Sequence, residues 1–349
     1  MKTTNIVGDS RIRAKDGREI EVLDPATDDV VATVPDSGPA ETIAAIDAAA
    51  KAYETWRLVP VSERAAITRR FADSILADRE RIAGIITREQ GKPLTEARVE
   101  VDYAASFLVA AAEAAGVLAD EPVDIAGKNV RVLRRPIGVT AAITPWNFPI
   151  AMLAKKAAPA LVSGCTQVIK PAEETPLSAI EFVESALRAG VPPGVLNVVT
   201  GAPAPIGNAL LEDPRVRKLS FTGSTEVGRL LMRGSARNLL RLSLELGGHA
   251  PLIVFEDADP TRAVEIAMAA KFRNAGQTCI CPNRFLVHRD LHDAFVEGLA
   301  TAASKLVSGR GDQEGVDLGP LIGDAGVAKV AAHVEDALAA GATLACGGG

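Results

Sequence analysis

Residues 136–170 read PIGVTAAITPWNFPIAMLAKKAAPALVSGCTQVIK. Pro136-Ile137-Gly138 makes a turn, and the apolar run Val139–Ile143 behind it has the length and composition of a buried strand. A helix is predicted near Ile150–Val162 and a second strand at Gln167–Lys170. The rhythm then continues through a helix at Pro176–Ala189, a strand at Val195–Val199, a helix at Pro205–Leu211 and a strand at Lys218–Thr222. Helix Thr225–Ser235 and strand Leu242–Glu245 close the run. Strands alternating with helices at this spacing predict an α/β fold with a parallel sheet covered on both faces. Nucleotides bind such sheets outside the carboxyl ends of the strands.

Upstream, to about Leu118, the pattern is helical. Ile43, Ile46 and Ala50 mark Glu41–Trp56, and Ser62 is the expected N-cap of Glu63–Ala77. A third helix from Arg79 stops at Gly91, with Pro93 beyond it, and Leu94–Val117 follows. Val130, Val132 and Leu133 among arginines predict an exposed strand. Downstream of Leu246 the expected order is strand Pro251–Phe255, helix Pro260–Asn274, strand Arg284–His288 and helix Asp290–Val307. Helix Asp324–Ala340 and strand-like Ala342–Cys346 complete it, and a strand start directly before Gly347-Gly348-Gly349 reads as a cut through a domain.

With 349 residues, 48% of them hydrophobic and 23% charged, the chain is globular in composition and too long for one core, so two domains are expected. A net charge of −6 speaks against a nucleic-acid binder. Met1–Ile20 contains no apolar signal segment. The most apolar stretch, Ala104–Ala119, is interrupted by Ser106 and Glu113 and is expected to be a buried helix, not a bilayer span. Four irregularly spaced cysteines fit a reducing cytoplasm better than a disulfide framework.

Five segments carry chemistry. In Phe272-Arg273-Asn274-Ala275-Gly276-Gln277-Thr278-Cys279-Ile280-Cys281, a cysteine on a Gly-containing loop after a helix is a nucleophile if its thiolate is accessible, and a structural thiol otherwise. No second Cys pair exists to make a metal site, so none is expected. In Leu244-Glu245-Leu246-Gly247-Gly248, a carboxylate at a strand end before two glycines is either a general base tuned by partial burial or a surface residue before a turn. Phe221-Thr222-Gly223-Ser224-Thr225-Glu226-Val227-Gly228 lies between strand and helix, where free N–H groups and the helix dipole suit a pyrophosphate. It is not the G-x-G-x-x-G fingerprint. In Thr144-Pro145-Trp146-Asn147-Phe148-Pro149, the Asn147 amide is an oxyanion donor or plain turn chemistry. Lys170-Pro171-Ala172-Glu173, at a strand end, can hydrogen-bond ribose hydroxyls or form a solvated pair.

In order, spacing and context the five resemble the aldehyde dehydrogenase superfamily from about Asp24 to the last residue. The nearest resemblance is to its succinate-semialdehyde dehydrogenase group, through Ile143–Pro149, Lys271-Phe272-Arg273-Asn274 and Cys279-Ile280-Cys281. The resemblance implies an NAD-binding domain in residues 1–118 and 137–246, a β-hairpin oligomerisation arm at 119–136, and a catalytic domain, incomplete here, at 247–349. It implies attack on an aldehyde by Cys279, an oxyanion held by Asn147, and water activated by Glu245. It sets Ile143, Thr144, Pro145, Trp146, Lys170, Glu173, Gly223, Ser224, Gly228, Leu246 and Gly247 around the cofactor. A carboxylate at Glu173 repels a 2′-phosphate, so NAD is expected over NADP. Lys155 stands where the group has an arginine for the substrate carboxylate, and a lysine cannot make that planar bidentate pair; Arg273 is a second candidate. Cys281 is a redox partner or a spectator thiol. A homodimer or homotetramer is expected, with no nucleic-acid or membrane partner, and this chain is expected to turn over little or not at all. Two rivals are a cofactor-free thiol esterase using Cys279, Asn147 and Glu245, and an inactive fragment serving only association.

Overall fold

The computed structural model describes residues 3–125 and 127–348. Met1 and Lys2 of the N-terminal segment, Ala126 of the expected arm and Gly349 of the glycine run lie outside the described residues.

Two compact units emerge: Met1–Val22, Val30–Ile86 and Arg98–Leu246 in the first, and Leu23–Asp29, Thr87–Ala97 and Gly247–Gly349 in the second. Residues 23–29 and 87–97 therefore group differently from the sequence expectation. Local contacts explain it: Leu94 N donates to Gly311 O at 2.8 Å, and Gly91 packs against Pro25 and Pro320.

The chain begins with β1 (Asn5–Val7), β2 (Ser10–Ile12) and the hairpin β3 (Glu19–Leu23) and β4 (Val30–Pro35). Helices α1 (Pro39–Trp56), α2 (Val61–Ala77), α3 (Arg79–Gln90) and α4 (Leu94–Glu113) follow. The α2 helix starts two residues earlier than expected. Pro60, not Ser62, is its N-cap, and the Pro60 carbonyl accepts from Glu63 N and Arg64 N. By length and composition, Leu94–Leu118 is long and apolar enough to cross a membrane. Val101, Ala104, Ala105, Leu108 and Ala112 form its buried stripe at helical spacing. The last part of the predicted buried stretch, Ala114–Leu118, is a 3-10 turn with no buried residue.

The arm consists of β5 (Glu121–Ile125) antiparallel to β6 (Lys128–Val132). Beyond it come β7 (Val139–Ile143), α5 (Pro149–Ser163), β8 (Thr166–Lys170), α6 (Pro176–Arg188), β9 (Leu196–Val198), α7 (Pro203–Glu212), β10 (Val216–Thr222), α8 (Thr225–Ser235) and β11 (Arg241–Glu245). The sheet order is β11-β10-β7-β8-β9-β1-β2. Its five β/α strands are parallel, as expected, but β1 joins β9 antiparallel at Ile6–Val198 and β2 pairs antiparallel with β1. On one face Val139, Ala141, Val168, Leu219 and Phe221 pack with Ala45, Ile46 and Ala49 of α1 and Ile206 and Leu210 of α7. The register sets Ile143 beside Lys170 and Phe221, and Thr222 beside Glu245. The carboxyl ends of four neighbouring strands are thereby aligned.

In the second unit, β12 (Ala250–Val254) and β13 (Pro282–Val287) are parallel strands joined through α9 (Pro260–Phe272). They pack with α10 (His292–Ala303) around Val254, Ala263, Ala267 and Phe295. The final helix is α11 (Asp324–Ala339). Residues 342–346 do not form the expected strand, because Gly341 N and Ala342 N turn back onto the Leu338 and Ala337 carbonyls.

Candidate active site

At the carboxyl end of β7, Thr144 N donates to Lys170 O at 3.1 Å, so the loop after Ile143 leaves beside the end of β8. Pro145, Trp146 and Asn147 are each half-buried there, and Pro149 opens α5. Proline suits that first helical position, where its missing N–H is no loss. The neighbouring strand β8 ends in Lys170, only 2% exposed, whose ammonium is paired with Glu173.

Two strands away, Ser224 caps α8 by accepting from Val227 N at 3.2 Å. Gly223 N donates to the Glu245 carbonyl at 3.1 Å, which ties the helix start to the end of β11. Gly228 is buried one turn in; a Cβ there would stand 2.6 Å from Leu246 Cδ2. The small residue thus lets α8 lie against the strand exit. Ile143 through Asn147, Lys170, Glu173, Gly223, Ser224, Gly228, Glu245 and Leu246 all belong to this first unit.

Of the two environments open for Glu245, partial burial or the surface, the structure has the exposed one: its side chain is 54% exposed, and Lys155 Nζ lies 3.2 Å from its Oε1. β11 is the edge strand of the sheet, with an exposed and half-buried alternation throughout. Lys155, the candidate for a substrate carboxylate, is paired with this carboxylate in the structure.

The adjacent Lys156 was not singled out by the sequence, although two successive lysines in an apolar helix mark it. It is 8% exposed and donates to Thr222 Oγ1. Burial, reinforced by Lys155 and opposed by Glu245, pushes its ammonium down from 10.5 to about 8. Below pH 8 both folded and unfolded chains carry this charge, and the folded one bears the burial cost. Between about 8 and 10.5 only the unfolded chain holds the proton, so stability rises with pH there. Lys156→Met is therefore expected to stabilise the protein by about 1–2 kcal/mol at pH 7, a gain that shrinks toward pH 10. Urea titrations at both pH values check this; a loss of stability at both would contradict it.

Cys279 belongs to the second unit, with Gly247, Arg273 and Cys281. The predicted helix over Pro260–Asn274 ends at Phe272 and passes into a 3-10 turn, Arg273–Gly276. Asn274 and Ala275 both take left-handed φ values, 52° and 53°. Such a pair reverses the chain and lifts the next residues out of the helix line. Gln277 N returns to Asn274 O at 3.0 Å, and Gln277 Oε1 accepts from Ile322 N at 3.0 Å. The result is a held loop with Cys279 exposed on it. Arg273 is half-buried at its start. Cys281, in contrast, is 1% exposed, and its thiol donates to Lys271 O at 3.2 Å.

Gly248 sits directly against this loop. A Cβ there would be 2.3 Å from the Cys279 carbonyl oxygen, a clash with backbone. The second glycine of Gly247-Gly248 is thus required by close approach to Cys279 itself, a partner that the sequence did not disclose.

The aldehyde dehydrogenase family profile matches residues 12–349. The chain is 52% identical over 337 residues to the succinate-semialdehyde dehydrogenase (NADP(+)) of Escherichia coli strain K12, covering 96% of this chain and 70% of that protein. It is 51% identical over 337 residues to the glutarate-semialdehyde dehydrogenase of Pseudomonas putida, with the same coverage. Among solved structures, succinate-semialdehyde dehydrogenase from Burkholderia pseudomallei superposes with a TM-score of 0.97 at 52% identity, over 99% of this chain and 72% of that one. An exposed cysteine on a backbone-fixed loop, a carboxylate at a sheet edge and these likenesses over nearly the whole chain lead to one assignment: the protein belongs to the aldehyde dehydrogenase family and is an oxidoreductase of aldehydes.

Proposed function

We propose that the protein oxidises a carboxylate-bearing aldehyde to the acid, with succinate semialdehyde the leading substrate and glutarate semialdehyde next, using NAD. The observation that carries this reading is the exposed Cys279 on a loop packed against Gly248. The two relatives named for these semialdehydes support the substrate class.

In this reading the Cys279 thiolate adds to the aldehyde carbon, and the oxyanion of the thiohemiacetal takes hydrogen bonds from the Asn147 amide and the Cys279 N–H. The nicotinamide, when bound, supplies the hydride acceptor. Loss of hydride from the adduct leaves an acyl thioester on Cys279. Glu245 takes a proton from water, the hydroxide adds to the thioester carbon, and the C–S bond breaks to release the acid and restore the thiolate. Lys155 and Arg273 supply cations for the distal carboxylate.

The residues at the sheet's carboxyl end fit a dinucleotide. The start of α8 offers N–H groups and a helix dipole to the pyrophosphate, with Gly223 and Ser224 at the turn and Gly228 and Leu246 packed beneath. Ile143, Thr144, Pro145 and Trp146 would flank a bound pyrophosphate, Gly247 follows Leu246, and the buried Lys170 with Glu173 would hydrogen-bond the adenine ribose. The Escherichia coli relative is named for NADP, so a choice of NAD rests on Glu173. Replacing Glu173 with Ser is expected to lower the NAD-to-NADP ratio of kcat/KM by about tenfold or more, because a like charge facing a 2′-phosphate is removed. An unchanged ratio refutes the assignment.

The arm supports a homo-oligomer, dimer or tetramer, since an isolated two-stranded ribbon is marginal in water and Ile125, Val132 and Leu133 are exposed on it. A cytoplasmic location agrees with four free cysteines.

The substrate class is tested by comparing kcat/KM for succinate semialdehyde and butyraldehyde. Lys155→Met is expected to lower the ratio by about tenfold, the loss of one charge-assisted contact. Equal ratios in parent and variant would exclude Lys155 from carboxylate recognition.

A further inference from the structure

Two carboxylates of α4, outside every motif above, hold the backbone of the two loops that carry Asn147 and Cys279. Glu100 is 1% exposed, and its Oε1 accepts from Ile150 N at 3.0 Å and Ala151 N at 3.3 Å. These are first-turn N–H groups of α5, whose own N-cap, Phe148, provides no side-chain acceptor. A buried carboxylate needs partners of this kind, and here it also meets the positive end of the helix dipole. Glu100 thus fixes the helix start that follows the Asn147-Phe148-Pro149 turn.

Four residues earlier, both oxygens of Glu96 accept from Asn274 N, at 3.1 and 2.9 Å. Asn274 is 1% exposed and holds the left-handed φ of 52° that begins the reversal leading to Cys279. A non-glycine residue stays in that conformation only where its surroundings over-determine it. Spacing of one turn sets both carboxylates on the same side of α4. Each carboxylate is held by the backbone N–H groups it accepts from, in its own unit.

We propose that Glu96 and Glu100 are positioning residues: Glu100 orients the Asn147 turn through the first turn of α5, and Glu96 orients the Cys279 loop through Asn274. This rests on the roles given to Cys279 and Asn147 above. The test uses Glu96→Ala, Glu96→Gln, Glu100→Ala and Glu100→Gln, measuring kcat, aldehyde KM and amide hydrogen exchange. Each Ala variant is expected to lose about tenfold or more in kcat with KM little changed, because misplacement by about an ångström is costly to reaction geometry. Exchange should quicken at Asn274 in the Glu96 variant and at Ile150 and Ala151 in the Glu100 variant. Gln keeps an acceptor oxygen and should recover most of the activity. Parent-like kcat in the Ala variants, unchanged local exchange, or Gln variants as impaired as Ala would overturn the proposal. If an Ala variant does not fold, its Gln counterpart and the parent's protection at these three amides decide. Cys279→Ala and Asn147→Ala run in parallel: activity surviving in them sinks the site reading alone, while exchange still reports on the two carboxylates.

Discussion

Cys279→Ala is expected to abolish NADH formation, a loss of at least ~10⁴-fold in kcat, with thermal stability unchanged. No other described thiol replaces it on this loop, since Cys281 is buried with its thiol turned to the Lys271 carbonyl. Stability should hold because the Cys279 side chain is exposed and its backbone stays fixed by Gly248 and the turn at Asn274 and Ala275. Cys279→Ser should fare little better, as a hydroxyl is a far weaker nucleophile at neutral pH. Stopped-flow absorbance of NADH with succinate semialdehyde gives the answer. Residual turnover near the parent's would remove Cys279 from the reaction and leave the loop a structural feature.

Glu245→Gln should produce a different failure. In the proposed mechanism hydride leaves before Glu245 is needed, so the variant is expected to give a burst of about one NADH per active site and then stall. Steady turnover should fall by roughly 10²–10⁴-fold, the usual worth of a general base. Glutamine is isosteric, and the backbone bond from Gly223 N to the residue-245 carbonyl is independent of the side chain. The site should therefore remain built. The Lys155–Glu245 pair sharpens the expectation: the substitution removes the anion beside Lys155, so the KM for an acidic aldehyde should fall as kcat falls. A variant that loses the burst as well would place Glu245 before hydride transfer. Undiminished steady turnover would exclude it as the base and favour water activation elsewhere.

The sheet was legible where pattern is local. The strand Val139–Ile143 and the helix Thr225–Ser235 fall at the residues the sequence suggests, because an apolar run between turns and a capped amphipathic segment each declare themselves. Strands β1 and β2 did not, being three residues each. The pairing of β1 with β9 is set by a partner almost two hundred positions away, which no window contains, and β2 only extends that edge. The candidate residues could be picked out because they stand in short motifs, but their surroundings could not. Whether Glu245 is partly buried or at the surface was open from its motif, and its exposure follows from β11 ending the sheet. The partners of Glu96 and Glu100 lie 178 and 50 residues away, so only the fold reveals what those carboxylates hold. Lys156 was visible as one of a pair of lysines, yet its depressed ammonium depends on burial against Thr222.

The most direct measurement is mass spectrometry of the acid-quenched Glu245→Gln protein after mixing with NAD and succinate semialdehyde. The expected result is a succinyl group on the Cys279 peptide, formed only when NAD is present and in step with the NADH burst. No acyl adduct, an adduct formed equally without NAD, or one carried by Cys281 or Cys346 would contradict Cys279 as the nucleophile of an aldehyde oxidation.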